Sequence, residues 1–287
     1  MNPSIPFMAS AGIALQGFPL DHNSSYLKGA AGAPPLIRKS LFSEAVNRWT
    51  ENGFDLEDAS IFRDLGDMSM PDRDRAFQKI EKTIQNIVGQ GLVPVSLGGD
   101  HSITYPIVRA LKTIIPEFAI LHFDAHPDLY ESFQNNPHSH ACPFARIMGD
   151  RLVGTLVQVG IRTLNGHQKE QAEKFGVAII QMKDWSPGKE FEFNIPLYIS
   201  VDIDVLDPSI ASGVSHYEPG GFSSRQLIDM IQRIRAPLII GADVVEFNPQ
   251  RDPGGITAMI CAKMVKEIAG KILEINRIGP GKQTRKI

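Results

Sequence analysis

Residues 118–128 read Phe118-Ala119-Ile120-Leu121-His122-Phe123-Asp124-Ala125-His126-Pro127-Asp128. A nearly wholly apolar run of strand length opens directly into an Asp-x-His-x-Asp sequence. A strand with no polar face belongs in the middle of a sheet that is covered on both sides. The acids and the histidine then stand at its carboxyl end, where open α/β sheets bind their ligands. The same pattern recurs along the chain. The run 92–97 leads into Gly98-Gly99-Asp100-His101, 197–205 carries Asp202-Ile203-Asp204, and 238–247 carries Glu246.

Two further apolar runs, 156–161 and 177–181, read as strands. Between the runs lie helical patterns. Residues 76–88 put Phe77, Ile80, Ile84 and Ile87 on one stripe, and 225–234 follows a Ser223-Ser224 cap signal. Residues 256–272 form the last long helix, and Pro34-Pro35 leads into an early one over 36–42. Strand and helix alternate without a linker or internal repeat. This predicts one α/β domain over 1–287, a single doubly wound parallel sheet with helices on both faces in a three-layer sandwich.

Composition narrows the function. The 287 residues are 43% hydrophobic and 21% charged, enough to bury a large core. Lys and Arg number 29 against 32 Asp and Glu, and four of the basic residues (Arg277, Lys282, Arg285, Lys286) sit in the last eleven positions. The acidic body argues against a nucleic-acid partner, and the basic tail, 277–287, is expected to be flexible. No apolar run approaches the roughly 20 residues needed to span a bilayer, so no membrane partner is expected. Cys142 and Cys261 fit neither a disulfide framework nor a metal-ligand spacing. With no basic or Arg-rich leader, the expected compartment is the cytoplasm.

Five of the eight histidines (His101, His122, His126, His138, His140) fall within 40 residues. On an extended segment Asp124, His126 and Asp128 would project to one face, as would Asp202 and Asp204. Carboxylates on an apolar central strand are costly unless paired or bound to a cation. His101, Asp124, His126, Asp128, Asp202 and Asp204 therefore read as a metal set. Its oxygen-rich, thiolate-free chemistry with two imidazoles favours two Mn²⁺ ions, which would share and activate a water. His122, within the apolar run, reads as a packed or supporting group and His138 as a loop residue. Asp100 and Asp243 read as orienting groups rather than ligands.

These segments resemble the signatures of the ureohydrolases, the family of arginase, agmatinase and relatives. The resemblance rests on Gly98-Gly99-Asp100-His101-Ser102, on Asp124-Ala125-His126-Pro127-Asp128 and on the stretch from Ser200 to Pro208. It extends to Gly213–Gly221, Gly241–Arg251, the early His22-Asn23-Ser24-Ser25-Tyr26-Leu27 and Ala33–Arg38, and within the family it looks closest to plant-type arginases. It implies a dinuclear manganese enzyme that hydrolyses a small cationic guanidino substrate to urea and an amine. L-Arginine is expected slightly ahead of agmatine, with guanidinobutyrate, a deacetylase of related fold or a silent metal-binding paralogue as alternatives. By motif position Asp124 and Asp204 would bridge the ions, and Asp128 would pass a proton to the leaving amine. His140 would shuttle protons or orient substrate, and Glu246 would pair with the guanidinium. Asn136, in a 131–139 loop unlike that of animal arginases, could hydrogen-bond a carboxylate or make a turn. His216-Tyr217 stands where agmatinases commonly carry Thr-Pro. The family also implies a homo-oligomer, trimer or hexamer.

Overall fold

The computed structural model describes residues 12–70 and 73–278. Its strands are β1 (Gly12–Phe18), β2 (Phe62–Asp67), β3 (Leu92–Gly98), β4 (Ala119–Phe123), β5 (Thr155–Ile161), β6 (Ala178–Gln181), β7 (Phe191–Glu192), β8 (Leu197–Asp202), β9 (Ile234–Arg235) and β10 (Ile239–Val245). Its helices are α1 (Ala33–Leu41), α2 (Arg73–Gly89), α3 (Thr104–Lys112), α4 (Pro143–Gly149), α5 (Gly166–Phe175), α6 (Ser224–Gln232) and α7 (Ile256–Asn276). Eight strands form one sheet in the order β2-β1-β3-β10-β8-β4-β5-β6, with every pairing parallel. β7 and β9 form a separate parallel pair.

The strand order explains the layers. Parallel crossovers are right-handed, so connections stepping in opposite directions along the sheet carry their helices on opposite faces. The steps through α2, α3, α4 and α5 all run toward β6, whereas those through α1 and α6 run toward β2. The helix contacts divide in the same way. α2 meets α3, α3 meets α4 and α4 meets α5, while α7 packs on both α1 and α6. The expected single parallel sheet between two helical layers is what the chain forms. No helix among the described residues is long and apolar enough to cross a membrane.

β3, β4, β8 and β10 are buried along their whole lengths and lie side by side at the centre. Two elements depart from expectation at the site itself. The run 197–205 ends as a strand at Asp202, whose carboxylate accepts the Asp204 N–H and caps a 3-10 turn, Ile203–Val205. Residues 124–128 are not extended either, and Asp128 adopts a left-handed φ of 49°. Neither segment therefore has the extended alternation that the i, i+2 spacing suggests. The side chains converge through bends.

At the far end, Arg277 also turns left-handed, and Ile278 is buried with its N–H on Leu273 O. Of the expected flexible tail, Ile278 is thus packed while Arg277 is exposed, and 279–287 lie outside the described residues.

Candidate active site

Four neighbouring strand ends build the site. β3 ends in Gly98-Gly99 because nothing larger fits: a Cβ on Gly99 would meet Leu20 O at 2.0 Å, and one on Gly98 would meet Ile103 and Val245 at 2.6 Å. The chain then turns at Asp100, whose carboxylate accepts N–H bonds from Ser102 (3.1 Å) and Asn23 (2.9 Å). Asp100 touches neither histidine of the metal set, in keeping with an orienting role, and burial and the charge of Glu246 push it up to about 6.

That turn aims His101 at the carboxylates of β4 and β8. Its Nδ1 lies 3.3 Å from Asp124 Oδ2, 3.1 Å from Asp128 Oδ2 and 3.4 Å from Asp202 Oδ2. His126 Nδ1 lies 3.4 Å from Asp124 Oδ1 and 2.9 Å from Asp204 Oδ2. The six residues therefore form two groups, one around each histidine. Asp124 belongs to both, offering a different oxygen to each. Asp204 turns Oδ2 to His126, and its Oδ1 accepts the Ala125 N–H at 3.1 Å.

The charges in this cluster are unbalanced. Burial and then the charges of Asp204 and Asp124 push Asp202 well above the usual carboxylate range. Burial opposes a charge on His101, yet Asp124, Asp128 and Asp202 hold it well above the ordinary histidine value. Without added positive charge the cluster must hold protons. Divalent cations satisfy the same need, and His101 Nδ1, a buried nitrogen without a hydrogen-bond partner, suits a metal ligand. The donor set fits two hard or borderline divalent ions.

His122 also lies close, but as a donor. Its Nδ1 accepts from Gln158 Nε2 (3.0 Å), so its Nε2–H points to Asp124 Oδ2 (2.8 Å). Arg162 braces the opposite side. Its guanidinium donates to Asp204 O (2.7 Å) and Leu206 O (3.3 Å), and at 2.7 and 2.9 Å to Glu218 O, tying the chain after β8 to the segment beyond Tyr217. Replacing it with Met leaves these carbonyls short of donors. Arg162→Met is expected to cost about 2 to 3 kcal/mol, read as a lowered midpoint in thermal or urea unfolding.

Beside the metal set, His140 is pinned between two groups. Its Nδ1 lies 2.8 Å from Glu246 Oε1, and its Nε2 lies 2.7 Å from Ser25 Oγ and 3.1 Å from Ser25 N. Burial works against the charged ring, but the Glu246 carboxylate outweighs it and lifts His140 to about 9. Glu246 Oε1 also accepts the His101 N–H at 2.8 Å. Glu246 and Asp128 both hold left-handed φ values, 64° and 49°. Such backbone costs about 1 to 3 kcal/mol per residue and concentrates where side chains must be aimed.

Asp128, His126, His140, Asp202, Asp204 and Glu246 open onto one cleft with a cavity volume of about 180 Å³. Asn136 does not line it. Its Oδ1 accepts the His138 N–H and its Nδ2 donates to Asn23, so the side chain serves the loop turn. Ser25, Tyr130, Phe133, Thr163, Gln168 and His216 also line the cleft, and none of them stands out as a site residue in the sequence. Ser25 sits inside the His22–Leu27 motif, and His216 replaces a residue of a recognised motif. Those are the available signals. Nothing local marks Gln168.

A model of the arginase family matches residues 11–270. The chain belongs to that family. It is 44% identical to Arginase 1, mitochondrial, of Arabidopsis thaliana over 281 residues, covering 92% of this chain and 82% of that protein. It is 32% identical to the agmatinase of Bacillus anthracis, covering 92% and 93%. The solved arginase of Medicago truncatula superposes with a TM-score of 0.86 at 42% identity, covering 92% of this chain and 88% of that one. As an arginase-family member the protein is a hydrolase of the ureohydrolase class, and the cleft at the sheet's carboxyl edge is where its His and Asp cluster lies.

Proposed function

We propose that the protein hydrolyses a guanidino compound to urea and a primary amine with two Mn²⁺ ions, L-arginine being its leading substrate and agmatine the next. One observation carries the reading: two histidine-centred carboxylate groups share Asp124, and the His140–Glu246 pair opens onto the same cleft. His101, Asp128 and Asp202 would hold one ion, His126 and Asp204 the other, and Asp124 both. When bound, such a pair of ions supplies a water activated at neutral pH.

This chain's own groups do the rest. With Oε1 engaged by His101 N–H and His140, Glu246 has Oε2 to accept from the guanidinium and hold it beside the metal set. His140 and Asp128, both on the cleft, carry a proton to the departing amine. No Lys or Arg is among the cleft-lining residues, whereas Asp128, Asp202, Asp204 and Glu246 are, which suits a cationic substrate. Arginine and agmatine differ by an α-carboxylate. Gln168 favours arginine, because its Oε1 accepts the Leu129 N–H and its Nε2 remains a donor on the cleft wall. The plant arginases among the relatives point the same way.

A side-by-side urea assay of the Mn²⁺-loaded protein on arginine, agmatine and guanidinobutyrate tests this. Arginine is expected to give the highest kcat/KM. Urea from none of the three, with metal bound, overturns the function, while preference for agmatine overturns the substrate assignment.

A further inference from the structure

Asp243, on β10, is fully buried and touches no histidine of the metal set. It accepts three hydroxyl hydrogen bonds: from Thr104 Oγ1 (2.8 Å) and Tyr198 OH (2.6 Å) on Oδ2, and from Ser200 Oγ (2.7 Å) on Oδ1. Ser200 Oγ lies 2.9 Å from His101 Nε2. A serine hydroxyl has one proton, and here Asp243 takes it. Ser200 can therefore only accept from His101, so Nε2 is the nitrogen that keeps its proton and Nδ1 is the one left bare. Nδ1 is the atom facing Asp124, Asp128 and Asp202.

We infer that Asp243 is a positioning residue that sets the tautomer of His101 through Ser200, committing Nδ1 to the first metal ion. The inference rests on the two-ion reading of the site above. It makes the hydrogen-bond direction, rather than the packing of β10, the property that matters. Asparagine at position 243 shows why. An amide retains two of the three hydroxyl bonds if its oxygen serves Thr104 and Tyr198 and its NH₂ faces Ser200. Ser200 then accepts from the introduced amide and turns its own proton onto His101 Nε2. The chain of bonds reverses, and the proton is driven onto Nδ1, where the ion should sit.

Outer partners of metal-bound histidines contribute roughly 10- to 100-fold to metal affinity. Mn²⁺ titrations of wild type, Asp243→Asn, Ser200→Ala and the double variant, followed by electron paramagnetic resonance of free Mn²⁺, read this without turnover. The expected result is a loss of roughly 10- to 100-fold at one of two sites in each single variant, with the other site unchanged. The double variant should lose little more than either single one, because both act through one chain of bonds. Ser200→Ala removes a single hydroxyl and carries the test if Asp243→Asn does not fold. Unchanged affinity in the folded variants, equal loss at both sites, or fully additive losses each overturns the inference. A wild-type protein that binds no Mn²⁺ overturns the two-ion reading instead, and the inference with it.

Discussion

Asp124→Asn is expected to lower kcat/KM by roughly 1,000-fold or more and to reduce Mn²⁺ content at both positions. Asp124 alone reaches both histidine groups, Oδ2 toward His101 and Oδ1 toward His126. It is pulled well below the usual carboxylate range, against burial, by His122, His101 and His126, so the charge lost is one the site is organised to hold. Asparagine keeps the shape but presents an NH₂ to one of the two positions and removes a negative charge from between them. Metal ions of this kind supply several kcal/mol of transition-state stabilisation, and each 1.36 kcal/mol is tenfold in rate. Elemental analysis of the dialysed variant beside steady-state urea release checks both halves. A variant that retains two ions and wild-type turnover would remove Asp124 from the role the distances assign it.

Glu246→Gln is expected to lower kcat/KM by roughly 100- to 1,000-fold, through a raised KM as well as a reduced kcat, while Mn²⁺ content stays near wild type. A glutamine can still accept the His101 N–H, so the turn that presents His101 survives. It cannot offer a carboxylate to a guanidinium. The same change acts on His140. With Glu246 ionised, His140 is lifted to about 9; without it, only the more weakly acting Asp100 and Asp128 oppose burial and the ring titrates lower. In wild type this pair's contribution to stability is full below about 6.5, the unfolded histidine value, and is lost as pH rises through about 9. Glu246→Gln should abolish that part of the pH dependence, visible in the His140 ring resonances and in unfolding midpoints measured from pH 6 to 10. An unmoved His140 titration would show that the 2.8 Å contact carries no charge coupling.

Much of the architecture is legible because the central strands are largely apolar on both faces, broken within by single polar residues such as His122, Ser200 and Asp243 and opening into acids and histidine where strands end. What escapes is quieter. β1 is buried throughout, yet it begins at the first described residue, in a stretch too mildly apolar to stand out as a strand. β2 is an edge strand with mostly exposed side chains and no alternation to read. α5, Gly166–Phe175, is polar over most of its length and gives little amphipathic signal.

The site divides in the same way. Asp124, His126, Asp128, Asp202 and Asp204 stand out because charge on apolar strands demands a reason. How they pair is not legible, since bends at 124–128 and 203–205 replace the extended geometry that the i, i+2 spacing suggests. Ser25 meets His140 across 115 residues, and Asp243 reaches Ser200 across 43. Polar side chains of this kind acquire meaning only when the fold brings them to a partner.

Catalysis as proposed depends on two cations held in adjacent groups that share one carboxylate. Electron paramagnetic resonance of the Mn²⁺-loaded wild-type protein, with ions counted per chain, tests it most directly. Two ions per chain with the spectrum of an exchange-coupled pair are expected. One ion per chain, or two that give only isolated six-line signals, would contradict it.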